Sequence, residues 1–172
     1  MGNLINLNGS KGSRTFPLII LEKGMDIIVE TAKSHSNVQC TYYPDEQYTY
    51  IYAGRYAYGA CVVGAIKNLD LRNYKRLCID VANYVCNNAD SYYYGLTTEE
   101  NLNSINMKDG WRGDQVNIIS TGLLTSRFPT SLTVDLSTID PNLLKNICIY
   151  FRVNGSASST GTSICPSRII AY

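Results

Sequence analysis

From residue 16 onward, short apolar runs recur along the chain, separated by clusters of Gly, Asn, Ser and Pro. Several runs alternate with a period of two. Leu77, Ile79 and Val81 share one face, with Cys78 and Asp80 on the other. Leu132, Val134 and Leu136 oppose Thr133 and Asp135, and Ile147, Ile149, Phe151 and Val153 form a third apolar row. This is the period of a strand, whose successive side chains point to opposite faces. The pattern predicts strands at Phe16–Leu21, Met25–Thr31, Gln47–Ala53, Ala60–Ile66, Arg76–Val85, Ser91–Leu96, Val116–Thr121, Ser131–Ser137, Asn146–Val153 and Ser167–Tyr172. Half-buried alternation belongs to antiparallel sheets with one solvated face. Many short strands between turn clusters therefore predict an all-β fold, an antiparallel β-sandwich of jelly-roll type.

Helix signals are few. Thr97-Thr98-Glu99-Glu100 offers a capping box for a short helix reaching about Met107. Asp140-Pro141 reads as the N-cap and first residue of a single turn ending near Asn146. Neither run suggests an α/β architecture, and no internal repeat is present. Residues 1–15 are rich in Gly, Asn and Ser and read as a flexible N-terminal arm, leaving 16–172 as one β-sandwich domain.

Composition narrows the picture. A chain of 172 residues favours one domain and buries about 70% of its unfolded surface. Lys and Arg total 15 against 14 Asp and Glu, so the formal net charge is +1. No basic run makes a case for nucleic acid or an anionic membrane surface. No apolar run approaches the ~20 residues needed to span a bilayer. Met1-Gly2-Asn3-Leu4-Ile5-Asn6 lacks the regions of a signal peptide, and Asn6 stands where a myristoylation motif wants Ser or Thr. Synthesis in a cytoplasm without a cleaved signal is the expectation.

The six cysteines are Cys40, Cys61, Cys78, Cys86, Cys148 and Cys165. Cys61, Cys78 and Cys148 sit between Val, Leu, Ile and Ala, where a free thiol behaves as a small hydrophobe. With no C-x-x-C and no Cys/His cluster, the expectation is reduced structural thiols, with no metal and no cofactor.

The chain carries no catalytic signature. His35 is the only histidine and lies in the polar stretch Lys33-Ser34-His35-Ser36-Asn37. There is no nucleophile elbow, zinc-protease motif or phosphate loop. Asp80 with Asp135, or Asp109 with Asp114, are the carboxylate pairs a glycosidase would need. Surface solubility or calcium ligation are their other uses, and the expectation is no enzyme.

Tyrosine is the anomaly of the composition. There are 14, and seven fall between Tyr42 and Tyr58. Tyr48, Tyr50 and Tyr52 alternate and should line one face of a strand, and a triplet follows at Tyr92, Tyr93 and Tyr94. Three uses fit: strand and core packing, an oligomer interface, or a ligand platform. Trp111, the only tryptophan, lies in Lys108-Asp109-Gly110-Trp111-Arg112-Gly113-Asp114. Turn residues on both sides place it in a loop. There the indole is either the anchor of the loop or a flat face for a sugar, with Asp109, Arg112 and Asp114 bonding hydroxyls. Tyr92, Tyr93 and Tyr94 would supply a second wall. Arg112-Gly113-Asp114 also spells an integrin-type tripeptide, which occurs by chance too readily to carry weight. Asn8-Gly9-Ser10 and Asn154-Gly155-Ser156 are glycosylation sequons.

A resemblance adds to this reading. It rests on Leu69-Asp70-Leu71-Arg72-Asn73-Tyr74-Lys75-Arg76-Leu77-Cys78-Ile79-Asp80-Val81 and on Ser131-Leu132-Thr133-Val134-Asp135-Leu136-Ser137. Ile147-Cys148-Ile149-Tyr150-Phe151-Arg152-Val153 and the closing Arg168-Ile169-Ile170-Ala171-Tyr172 complete it. Together these stretches resemble jelly-roll domains of tail-associated, receptor-binding proteins from phages and prophages of Gram-positive gut bacteria, which are similar to carbohydrate-binding modules. The resemblance spans roughly residues 16–172. It implies a non-catalytic module at a virion surface or appendage, binding cell-surface polysaccharide as a homo-oligomer, a trimer. A structural virion subunit without ligand, and a glycan-degrading enzyme with a carboxylate pair, are the competing expectations.

Overall fold

The computed structural model describes residues 16–54, 60–85, 92–104, 120–123, 131–155 and 161–172. The strands are β1 (Leu18–Leu21), β2 (Val29–Lys33), β3 (Val38–Tyr43), β4 (Tyr48–Ala53), β5 (Cys61–Leu69), β6 (Arg76–Val85) and β7 (Tyr92–Thr98). After the short helix α1 (Glu99–Ser104) come β8 (Ser120–Leu123), β9 (Ser131–Asp135), β10 (Ile147–Asn154) and β11 (Thr162–Ala171). They form two antiparallel sheets. The first runs β3-β4-β11-β6-β9, with β1 also on β11, and the second runs β2-β5-β10-β7-β8. Among these strands only the β3–β4 and β7–β8 connections stay within one sheet. The remaining connections cross between sheets, so the alternating runs of the sequence wind into the expected sandwich.

The apolar rows meet between the sheets. Leu77, Ile79 and Val81 of β6, Ile164 and Ile169 of β11, and Ile147, Ile149, Phe151 and Val153 of β10 belong to one buried cluster. A fully buried Leu, Ile or Phe contributes about 1.5–3 kcal/mol over the exposed state. Gly64 of β5 faces this core. A Cβ there would lie 2.9 Å from Cys40 Sγ, 3.0 Å from Ile51 Cδ1 and 3.1 Å from Ile28 Cγ2.

Several boundaries differ from the pattern reading. β3 was not expected, because the polar stretch before Val38 and the tyrosines after it obscure its alternation. It pairs with β4 through residues 38–43. β2 begins at Val29 rather than Met25 and continues to Lys33. Residues 25–28 follow Gly24, whose φ of 93° turns the chain before it can pair. β11 begins five residues earlier than expected, at Thr162 in place of Ser167. Pro166 falls inside the added stretch. It is accommodated where the register against β6 shifts on both sides of it, since a proline in a strand needs a bulge or an edge. Asn68 has a φ of 60° at a similar shift between β5 and β10.

The helical signals are placed closely. Thr98 caps α1, accepting from the Asn101 N–H at 3.2 Å. The cap is therefore one residue beyond Thr97, and residues 105–107 of the expected helix lie outside the described residues. Asp140 accepts from the Asn142 N–H at 2.9 Å and starts the 3-10 turn Pro141–Leu144, as the Asp-Pro pair predicted. The strand expected at Ser131–Ser137 stops at Asp135, whose carboxylate accepts from the Ser137 N–H at 2.9 Å and starts the 3-10 turn Leu136–Thr138. The arm at 1–15 and residues 116–119 of the strand predicted at Val116–Thr121 lie outside the described residues.

Gly64→Ala should destabilise the domain by about 1–3 kcal/mol, the usual cost of overpacking a filled core. Urea unfolding of the two proteins measures it, and an unchanged midpoint would show that the sheets do not pack this closely at β5.

Candidate functional site

β3 and β4 expose a shared outer face. On β4, Thr49, Ile51 and Ala53 are buried, while Tyr48, Tyr50 and Tyr52 are half-buried on the other side. On β3, Gln39, Thr41 and Tyr43 are exposed. Register sets Tyr43 opposite Tyr48, Thr41 opposite Tyr50 and Gln39 opposite Tyr52. The row foreseen at Tyr48, Tyr50 and Tyr52 is thus real and gains Tyr43, Thr41 and Gln39 from the strand the pattern missed.

The rings of this row are held. Tyr43 meets Tyr50 edge-on, with centroids 5.4 Å apart and planes at 90°. Such a diagonal aromatic pair adds about 0.5–1.5 kcal/mol beyond burial. Gln39 Nε2 donates to Tyr43 Oη at 3.3 Å. Lys23 Nζ sits 5.5 Å from the Tyr48 centroid, a cation–π distance. Tyr52 lies over Gly161, where a Cβ would stand 2.6 Å from a ring carbon. Aromatic faces, phenols and an amide are therefore fixed along two neighbouring strands, with alternate side chains about 7 Å apart.

The outer face of the second sheet is different, because it is covered. Val63 and Ala65 of β5, Cys148 and Tyr150 of β10 and Leu102 of α1 form a second buried cluster. An ion pair of 2.9 Å between Lys67 and Glu99 ties α1 to β5. Further along β10, Arg152 and Asn154 are buried, and Arg152 Nε donates to Asn154 Oδ1 at 2.9 Å. Tyr93 is the register partner of Arg152. Burial pushes the Tyr150 phenol well above its ordinary range, with the charge of Arg152 opposing the shift. Asn154 is only 3% exposed, so this sequon is closed to glycosylation in the folded domain.

The residues proposed from sequence are distributed as follows. Trp111, Asp109, Arg112 and Asp114 lie outside the described residues. Tyr92 pairs with Val153 on β7. Tyr94 packs against the central core, and burial raises its phenol. Tyr93 and Tyr94 therefore point to opposite faces, and the triplet does not form one wall. Asp80 and Asp135 do not make a glycosidase pair. Asp80 lies opposite Ser131 and Asp135 opposite Arg76. Four residues of strand put their Cα atoms about 14 Å apart, beyond the 5–10 Å such pairs need. Asp80 instead accepts from Ser131 Oγ. Hydrogen bonds from Ser137 hold the Asp135 carboxyl below its ordinary range. His35 is exposed in its turn, where Nδ1 accepts from the Asn37 N–H at 3.1 Å. Among the described residues there is no group of three or more metal-ligating side chains, and no helix is long and apolar enough to cross a membrane.

Pattern reasoning missed Arg152 and Asn154. The row Ile147, Ile149, Phe151 and Val153 is legible, half-buried alternation implies that the positions between them are solvated, and Asn154 lies one residue past the expected strand. A sign was available in the large apolar Tyr150 and in Cys148 on that supposedly wet side.

Comparison with known proteins yields little kinship. No family model matches the chain, and no curated protein matches it. Among solved structures, the chain is similar to the K1 cleaved adhesin domain of Lys-gingipain from Porphyromonas gingivalis. The TM-score is 0.46 at 11% identity, over 92% of this chain and 98% of that one. The K3 cleaved adhesin domain of the same protein gives 0.41 at 9% identity, over 91% and 98%.

The cysteines lead to a pH prediction. Cys40, Cys78, Cys148 and Cys165 are free thiols, and Cys86 lies outside the described residues. Burial first, then Glu30 and Asp26, pushes the Cys40 thiol from 9.0 up to about 12. Burial, with Glu46, does the same to Cys165, again to about 12. The unfolded chain loses these protons at lower pH than the folded one. Their contribution to stability is therefore complete below 9.0 and is lost progressively as pH rises to about 12. Melting temperature should fall across that window, and more gently in Cys40→Ala/Cys165→Ala. Equal slopes in the two proteins would show that these thiols are not the buried groups responsible.

Proposed function

We propose that this domain is a non-catalytic recognition module that holds a glycan or receptor against the tyrosine-lined face of β3 and β4. The observation that carries the reading is the row of Tyr43, Tyr48, Tyr50 and Tyr52, with Gln39 and Thr41 in the same surface. A ring covers the C–H face of a sugar, while the adjacent phenols and amide bond its hydroxyls. Because neighbouring groups already hold the rings, binding freezes few rotamers. The setting in this reading is the surface of a phage or prophage tail or appendage, where the module works as a homotrimer. That part rests on the sequence resemblance alone. The Trp111 loop, with Asp109, Arg112 and Asp114, enters as a second contact to the same ligand.

A glycan array with the purified chain tests the proposal. Tyr50→Ala should weaken binding at least tenfold, on the order of 1.4 kcal/mol, with only a few degrees lost in melting temperature. Trp111→Ala should weaken it as well if the loop contributes. If Trp111→Ala abolishes binding and Tyr50→Ala leaves it intact, the tyrosine face is not the site. If no glycan binds and light scattering shows a trimer that Tyr50→Ala dissociates, the row is a subunit contact and the chain is a structural component.

A further inference from the structure

β3 is the outermost strand at one side of the first sheet, and one of its long edges pairs with β4. Alternation divides its backbone groups between the two edges. Asn37 O accepts from the Gly54 N–H and Tyr43 O from the Gln47 N–H, each at 2.8 Å, so the odd-numbered residues bond toward β4. The even-numbered ones, Val38, Cys40 and Tyr42, turn their N–H and C=O groups to the opposite edge. The strand itself, Val38-Gln39-Cys40-Thr41-Tyr42-Tyr43, has no charge, no glycine and no proline, and Val, Thr and Tyr favour strands. An uncharged strand former with an open ladder is a template for pairing with another chain.

The occupant this edge fits is a second copy of itself. Antiparallel pairing about a two-fold axis sets Cys40 against Cys40 of the other copy and Val38 against Tyr42. A β-branched residue then meets an aromatic one, a favourable cross-strand pair.

In the folded chain that position is taken. Glu30 of β2 reaches over from the other sheet, and its Oε2 accepts from the Cys40 N–H at 3.0 Å. That is the distance of a ladder bond, so the carboxylate oxygen holds the place of a neighbouring strand's carbonyl. Lys33 Nζ lies 2.9 Å from Oε1, which fixes the carboxylate and adds a second charge to the rim. Along the same edge, the Val38 N–H donates to His35 O at 3.3 Å. A strand docking here has to break the Glu30 bond and cover a carboxylate, and burying an unpaired charge is costly.

We propose that Glu30 is an edge guard: its carboxylate, held by Lys33, occupies the β3 ladder at Cys40 and so excludes a second copy of this chain from pairing there. The inference concerns the edge of the sheet and stands independently of what the tyrosine face binds.

The test compares the light-scattering mass of the whole chain with that of Glu30→Ala and of Glu30→Ala/Tyr42→Pro at matched concentrations. Glu30→Ala should reach about twice the wild-type mass or more, as edge-to-edge pairing requires. Proline at position 42 removes an N–H that points away from β4, which an edge strand tolerates, and should return the mass to the wild-type value. In the unsubstituted chain, the Cys40 amide should exchange with solvent about tenfold more slowly than the Tyr42 amide, each relative to its intrinsic rate. That readout needs no variant to fold. Equal protection of the two amides, a Glu30→Ala mass equal to wild type, or an excess mass that Tyr42→Pro leaves in place would each overturn the proposal.

Discussion

β10 is closed on all four sides. β5 and β7 occupy its two hydrogen-bonding edges. The facing sheet covers Ile147, Ile149, Phe151 and Val153, and Leu102 of α1 covers Cys148 and Tyr150. Every residue from Ile147 to Asn154 is buried. A strand in this position cannot slip by one residue, since slipping would exchange its inner and outer sets. The outer set includes a guanidinium and a carboxamide, which would be stranded in the apolar core. Register in the second sheet follows from this one strand, and the crossings between sheets carry it to the first.

At one side of the sandwich the edges are β2 and β3, one from each sheet. Exposed edges invite pairing with other chains. Here Glu30 of β2 reaches across the gap, and its Oε2 accepts from the Cys40 N–H of β3 at 3.0 Å. Its Oε1 pairs with Lys33 at 2.9 Å. One carboxylate thus ties the two sheets together and removes a backbone donor from the exposed ladder. The same carboxylate helps keep the Cys40 thiol protonated. The link lies beside the tyrosine row, so the platform stands on an edge that is braced from the opposite sheet.

The two outer faces have diverged. On the first sheet, rigid aromatic rings remain partly open to solvent, and this is the surface on which recognition is proposed. On the second, α1 is held by its Thr98 cap and the Lys67–Glu99 pair and covers an apolar patch. That patch would otherwise be an exposed liability. Burying that face raises the cost of any polar group left on it, and the Thr97 hydroxyl and the Asn154 carboxamide nitrogen are both buried there without a hydrogen-bond partner among the described residues. On the open face an unmet donor would simply be hydrated.

Local pattern was enough for the class of fold. Period-two alternation in β6, β9 and β10 reads directly as strand, and Asp140-Pro141 reads directly as a capped turn, because each depends on neighbours within a few residues. The tyrosine row was legible for the same reason. What the sequence did not contain was which faces would be covered. Tyr93 and Tyr94 are adjacent and chemically identical, yet one pairs with Arg152 and the other enters the core. Arg152 looks like a solvated residue, yet in the folded sheet it is buried beside Tyr93 of the neighbouring strand. β3 was invisible until β4 paired with it, and the first half of β11 emerges only where register shifts accommodate Pro166. Alternation is a property of the backbone and is written residue by residue. Burial of the second face, strand neighbours and bulges depend on contacts between distant segments, and only the assembled tertiary structure decides them.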